Sequence, residues 1–234
     1  MSGGRTAGPE TPRAAGRPLT LDEVKRDREV EAYIVKADEY TRAIGYTEHG
    51  VRHANLVASI SGNVLRRLGR DERTVQLGGI AGYLHDIGNL VGRVSHEHTG
   101  AILARDILNR LGMDPVEQAI VMGAIGNHEE QTGEPVSDVG AALIISDKSD
   151  VHRTRVRNPD PVTFDIHDRV NYAVEHSFLR VDEGARTITL ELTIDTSQVM
   201  EYFEIFLPRM VMCRHAAKLL GCAFKLQING TKLL

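Results

Sequence analysis

The chain has 234 residues, enough for one large domain or one domain with a small appendage. Its 41% apolar and 26% charged residues are the balance of a soluble globular protein, and a net charge of −4 leaves no basic footprint for a nucleic-acid polymer. Trp is absent and aromatics are 5%, so a base-stacking surface is disfavoured too.

Residues 1–18, "MSGGRTAGPETPRAAGRP", are rich in Gly, Pro, Arg and Ala and read as a disordered tail. They lack the apolar core of a signal peptide, and no later run approaches the roughly 18 apolar residues of a membrane span. A cytoplasmic location is expected. From Leu19 to about Arg155 the pattern is helical, in short segments ended by Gly. Residues 47–68 put His53, Val57, Ile60, Val64 and Leu68 on one stripe. Residues 71–87 follow with Asp71 as N-cap and Leu77, Ile80 and Leu84 inward; Gly78, Gly79, Ala81 and Gly82 would admit a neighbouring helix or a coordinated ion. Residues 96–111 start after Ser95, a good N-cap type, and stop at Gly112. "DPVE" then opens a helix with Asp114 as N-cap, Pro115 in the first position and Glu117 closing a capping box; it runs to about His128. A further helix spans roughly 138–149.

After Pro159 and Pro161 the texture changes. "RVNYAVEHSFLRV" and "RTITLELTI" read as strands joined by the hairpin "DEGA". Residues 197–220 form a helix with Val199, Phe203, Phe206, Met210, Cys213, Ala217 and Leu220 on one stripe, and "AFKLQI" is one more strand. The fold class expected is therefore mainly α: a helical domain over 19–157, then a small β-β-α-β appendage over 158–234. That appendage is either a dimerisation or regulatory module or a packing cap. Cys213 and Cys222, without CxxC spacing, read as reduced core thiols.

Helical spacing turns His53, His85, Asp86, His96, His128 and Asp147 inward, whereas His98 falls on a polar flank. One inward histidine is usually a hydrogen-bonded core residue. Four inward histidines and two inward aspartates on five helices are better satisfied by an ion, because each buried polar group needs partners. Mixed imidazole and carboxylate ligation suits Fe, Mn, Zn, Co or Ni rather than Mg or Ca. Six candidates suit two metals sharing a carboxylate, with Asp86 as the bridge.

The order of His53, then "HDIG" at His85 and Asp86, then Asp147 resembles the HD-domain superfamily of metal-dependent phosphohydrolases. "HDIGNL", "SHEHTG", "IGNHEEQTGEP" and "ISDKSD" are similar in order to the HD-GYP branch over about residues 45–150. The resemblance implies an HD-type helical fold and two divalent transition-metal ions, Fe or Mn favoured. His53, His85, Asp86 and Asp147 would hold the first, and Asp86, His96 and His128 the second, with His85 and Asp86 as the central catalytic pair. It implies hydrolysis of a phosphate mono- or diester, nucleotide-like, by a metal-activated water. Departures are Asn127 where the branch has the first of two adjacent histidines, Asn89 where it has Lys, and "TGEP" with Glu134 where it has GYP. Cleavage of cyclic di-GMP therefore does not transfer. Arg93, Lys148 and Asn89 are the candidate substrate contacts, each charge weighed against a solvated surface role. His49 stands as ligand or rim residue, and Glu129 or Glu130 as a partner orienting His128 or a solvated helix end. The competing readings are an HD scaffold that senses a ligand without turnover, and a mononuclear nucleotidase.

Overall fold

The computed structural model describes residues 17–195 and 199–233. The expected tail lies outside the described residues apart from Arg17 and Pro18, as do residues 197–198 of the expected C-terminal helix. The helices are α1 (Leu21–Arg26), α2 (Arg28–Ala43), α3 (Val51–Arg67), α4 (Glu72–Leu84), α5 (His96–Arg110), α6 (Pro115–Gly126), α7 (Asp138–Ser149), α8 (Ile166–Ala173) and α9 (Val199–Leu219). The strands are β1 (Val174–Asp182), β2 (Thr187–Ile194), β3 (Ala223–Ile228) and β4 (Thr231–Lys232). The protein is mainly helical, with a small C-terminal sheet and helix.

Helix α7 organises the interior. Its "VGAALII" run is apolar all round, as a helix enclosed on every side must be. Val139 and Leu143 pack with α1 to α6, while Ala141, Ala142, Ile144 and Ile145 pack with the sheet and α9. The core is thus continuous from the helical block into the C-terminal unit. This burial fixes the last turn of α7, which carries Asp147.

The sheet order is β1-β2-β3-β4. β1 and β2 form an antiparallel hairpin, with Leu179 opposite Leu190, and β2 runs parallel to β3 through the α9 crossover. Ile188, Leu190, Leu192 and Ile194 alternate inward along β2, against Tyr202, Phe206 and Met210 of α9. Cys213 and Cys222 are buried free thiols.

Several sequence expectations are corrected. The segment expected as a strand from Arg169 is helical up to Ala173: Asp165 accepts a hydrogen bond from the Asp168 amide at 2.8 Å and starts α8, and the strand begins at Val174. Val170 and Tyr172 supplied the misleading β-type composition, which a cap and burial of Val170 overrode. β4 is a two-residue addition that no pattern marked. Ser95 caps α5 with no side-chain bond, because its left-handed backbone (φ 59°) is not the extended geometry of a capping serine. Glu117 closes no box with Asp114; it is drawn into a bidentate pair with Arg73.

The small residues of α4 make room for a helix rather than an ion. A Cβ on Gly82 would stand 2.9 Å from the Ala58 backbone of α3, and one on Gly78 would meet Leu65. The "HDIG" glycine does a different job. A Cβ on Gly88 would lie 1.9 Å from the His96 carbonyl oxygen, so only glycine lets α5 start against the short 3₁₀ turn Ile87–Leu90. That close approach brings His96 beside Asp86.

Candidate metal centre

Five helical segments deliver six side chains to one point. His53 comes from α3, His85 and Asp86 from the end of α4, His96 from the start of α5, His128 from just beyond α6, and Asp147 from α7. All four histidines are at most 2% exposed. Three overlapping groups could each hold an ion: His53, His85 and Asp86; His85, His128 and Asp147; Asp86, His96 and His128. In each group the ligand atoms lie within 4.8 Å of one another.

Each histidine has its Nδ1 committed. His85 Nδ1 lies 2.9 Å from the Gly82 carbonyl, His128 Nδ1 2.6 Å from that of Ile125, and His96 Nδ1 3.1 Å from that of Arg93. His53 Nδ1 lies 2.7 Å from Asp150 Oδ2. A carbonyl or carboxylate accepts, so these nitrogens carry the protons and the Nε2 lone pairs point into the centre. There His53 Nε2 faces His85 Nε2 at 3.2 Å, and His96 Nε2 faces His128 Nε2 at 3.2 Å. Two lone pairs at that separation need a cation between or beside them. Carboxylate oxygens close in as well: Asp147 Oδ1 is 3.3 Å from His53 Nε2, Asp86 Oδ2 3.3 Å from His85 Nε2, and Asp86 Oδ1 3.2 Å from His96 Nε2. Asp86 Oδ2 is buried with no hydrogen-bond donor among the described residues. This donor set fits a divalent metal.

The electrostatics agree. Burial works against charging His85, but Asp86 and Asp147 outweigh it and raise the imidazole to about 10. Burial is likewise overcome at Asp86, held well below the ordinary carboxylate range by His85 and His96, and at Asp147, held low by Lys148, His53 and His85. His128 is pushed well below its ordinary value by burial and by its histidine neighbours. The metal-free cluster is a cation trap that holds a proton where an ion would sit.

The candidate substrate residues are placed unequally. Arg93 lies at the mouth, with Nη1 3.1 Å from His96 Nε2 and 3.3 Å from Asn89 Oδ1, and its guanidinium over the Tyr46 ring. Lys148 is not a solvated charge: it is 3% exposed, bridging Asp147 Oδ2 (2.8 Å) and Glu130 Oε2 (2.9 Å). Asn89 accepts from Arg93 Nη1 through its Oδ1. It is 3% exposed, and its Nδ2 donates to the backbone oxygen and Oδ1 of Asp86, so it braces that aspartate. His49 sits on the cavity wall, its Nδ1 donating to the Thr47 carbonyl, and burial holds it well below its ordinary value. Neither Glu129 nor Glu130 orients His128, since the Ile125 carbonyl does that. Glu130 pairs with Lys148 and Arg209, while Glu129 faces Arg93 and is raised by burial and the Glu130 charge. Asn127 turns back to the Gly123 carbonyl of α6, and Glu134 is exposed.

Two residues that sequence reasoning missed complete the centre. Asp150, three residues past Asp147 in "DKSD", accepts from His53 and from Arg52, and its carboxyl is held low, against its burial, by Arg155, His53 and Arg52. Its signal was helical spacing from Asp147. Arg209 of α9 had none, since only the packing of α9 on α7 brings it to Glu130. Beside the centre lies a cavity of about 750 Å³, walled by Tyr46, His49, Arg93, the loop at Glu129–Thr132, α8 and α9. No helix among the described residues is long and apolar enough to cross a membrane.

A solved structure titled a predicted HD superfamily hydrolase, from an uncultured Thermotogales bacterium, aligns with a TM-score of 0.44 and 26% identity, over 57% of this chain and 75% of its own. The uncharacterized protein MJ1020 of Methanocaldococcus jannaschii is 25% identical over 189 residues, 71% of this chain and 72% of its own length. The family model for the HD domain matches residues 50–194, from the helix that carries His53 through the hairpin after the metal centre. The chain belongs to the HD domain family.

Proposed function

We propose that this protein is a metal-dependent phosphohydrolase that hydrolyses a phosphate mono- or diester of nucleotide-like size at a centre of two divalent transition metals, Fe or Mn favoured. The opposed Nε2 pairs at 3.2 Å, with every Nδ1 already spent, carry the reading. His53, His85, Asp86 and Asp147 would hold one ion, and Asp86, His96 and His128 the other, with Asp86 shared. Motif order sets the chain nearest the HD-GYP branch, without its GYP signature.

A bound divalent ion makes hydroxide available near neutral pH by lowering the pKa of its water towards roughly 7. The chain supplies the rest. Asn89 clamps Asp86 and Asp150 clamps His53, so the ligands keep their geometry as charge develops. Arg93 lies where its guanidinium can take up negative charge on a phosphoryl oxygen. His49, a neutral imidazole with Nδ1 committed, presents Nε2 as an acceptor able to orient a water or a substrate hydroxyl. The cavity of about 750 Å³ has room for a nucleotide-sized ester.

One observation favours a single ion. Arg93 Nη1 donates to His96 Nε2 at 3.1 Å, so the second group already has a positive partner. Metal analysis of protein purified without chelator separates the readings: about two equivalents against about one. Less than about one equivalent, unchanged in His85→Ala, would sink both. Turnover of nucleotides and simple phosphate esters with Mn, Fe, Co or Ni tests the activity, and ligand binding without turnover would point instead to a sensor.

A further inference from the structure

A small recess lies directly over the metal ligands, lined by Asp86, His96, His128, Asp147 and Lys148, and it shares its rim with the large cavity. A phosphoryl group held at the metals with its leaving group in the cavity would pass through that rim. Three arginines stand in it: Arg93, Arg155 and Arg209. They differ in what their donors already do. Arg155 is consumed by the fold, giving Nε and Nη2 to the Glu48 carbonyl and Nη1 to the Asp150 carbonyl at 2.6 Å. Arg93 gives Nη1 to Asn89 and His96, and its Nη2 faces Glu129 at 3.5 Å. Arg209 gives only Nε, to Glu130 Oε1 at 2.9 Å. Neither of its Nη atoms donates to a described residue, and its side chain is 23% exposed.

The guanidinium is also fixed in place. Glu130 holds its Nε edge, the Phe206 ring lies beneath it at 4.7 Å, and Glu130 is itself anchored on Lys148. A planar fork with one edge tied and its terminal nitrogens free is arranged to meet two oxygens of an oxyanion. Resting on the functional reading above, we infer that Arg209 is a phosphate-binding residue, and that the C-terminal helix α9 therefore completes the substrate site of the helical domain. The Nη pair would take non-bridging oxygens of the phosphoryl group at the rim, opposite the charge supplied by Arg93.

The test is inorganic phosphate binding by calorimetry to the full-length, manganese-loaded protein, with metal content measured on the same samples. In Arg209→Ala the phosphate Kd rises roughly ten- to a hundred-fold while manganese content is unchanged, because a charge-assisted contact is lost and no ligand is touched. Arg209→Lys, which keeps the charge and loses the fork, loses less affinity. An unchanged Kd in Arg209→Ala overturns the inference and leaves the functional reading standing. Phosphate affinity that falls in step with manganese content also overturns it, making Arg209 a residue that only positions Lys148 and Asp147. Should Arg209→Ala not fold, unchanged affinity in Arg209→Lys is the overturning result. A wild-type protein that takes up no metal fails the functional reading and this inference together.

Discussion

His53 places its Nδ1 2.7 Å from Asp150 Oδ2, and the same oxygen accepts from Arg52 Nη2 at 2.8 Å. The carboxylate thus fixes both the tautomer and the tilt of the imidazole, leaving Nε2 as the lone pair aimed at the centre. Asp150→Asn removes the charge and keeps the shape. Metal affinity is expected to fall roughly ten- to a hundred-fold, as for other carboxylate–histidine–metal arrangements, with the fold retained. Manganese or cobalt titration followed by circular dichroism checks this; unaltered affinity would show that His53 needs no such brace.

Asp86 belongs to two of the ligand groups and His96 to one. Asp86→Ala should therefore lose both ions and His96→Ala only one. Metal analysis reads the difference directly, and equal losses in the two variants would contradict a shared carboxylate.

His85 ties metal uptake to pH. Asp86 and Asp147, working against burial, raise it to about 10 from 6.5, so the metal-free site carries a proton at neutral pH that an ion must displace. Apparent metal affinity should climb with pH, with proton release visible by calorimetry in buffers of different ionisation enthalpy. A raised histidine contributes stability that is complete below its unfolded value and lost as pH rises through its folded one. The Tm of the metal-free protein should accordingly decline between about pH 7 and 10, and His85→Ala should lack that part of the slope.

Gly88→Ala puts a methyl group into the space of the His96 carbonyl and the Gly100 amide, both backbone. Backbone cannot swing aside as a side chain tip can, so α5 must move. A loss of about 3 kcal/mol is expected in urea unfolding, with weaker metal binding as His96 is displaced. A variant as stable as the wild type would mean that α5 can slide freely along the 3₁₀ turn.

Helical periodicity was legible because burial acts face by face: His53, His96 and His128 each end or head an apolar stripe, and each is buried. Where local chemistry and tertiary context disagree, the reading failed. Val170 and Tyr172 look like strand residues but lie in α8, and Ser95 looks like a cap but adopts a left-handed turn. Asn89 shows the same limit at the site. It stands where the HD-GYP branch has Lys, which suggested a substrate contact, and only the structure shows its amide bracing Asp86.

Spacing and residue type alone therefore determined the helical class, the C-terminal unit and the six side chains that meet, since periodicity is a local consequence of burial. Only the tertiary structure decided which atoms face one another. The choice of Nε2 over Nδ1 is made by carbonyls of each histidine's own segment and by Asp150, held by Arg52 and Arg155. Arg209 reaches Glu130 across 79 residues of sequence, because α9 packs on α7. Contacts of that range depend on how helices dock, and no pattern within a single helix encodes them.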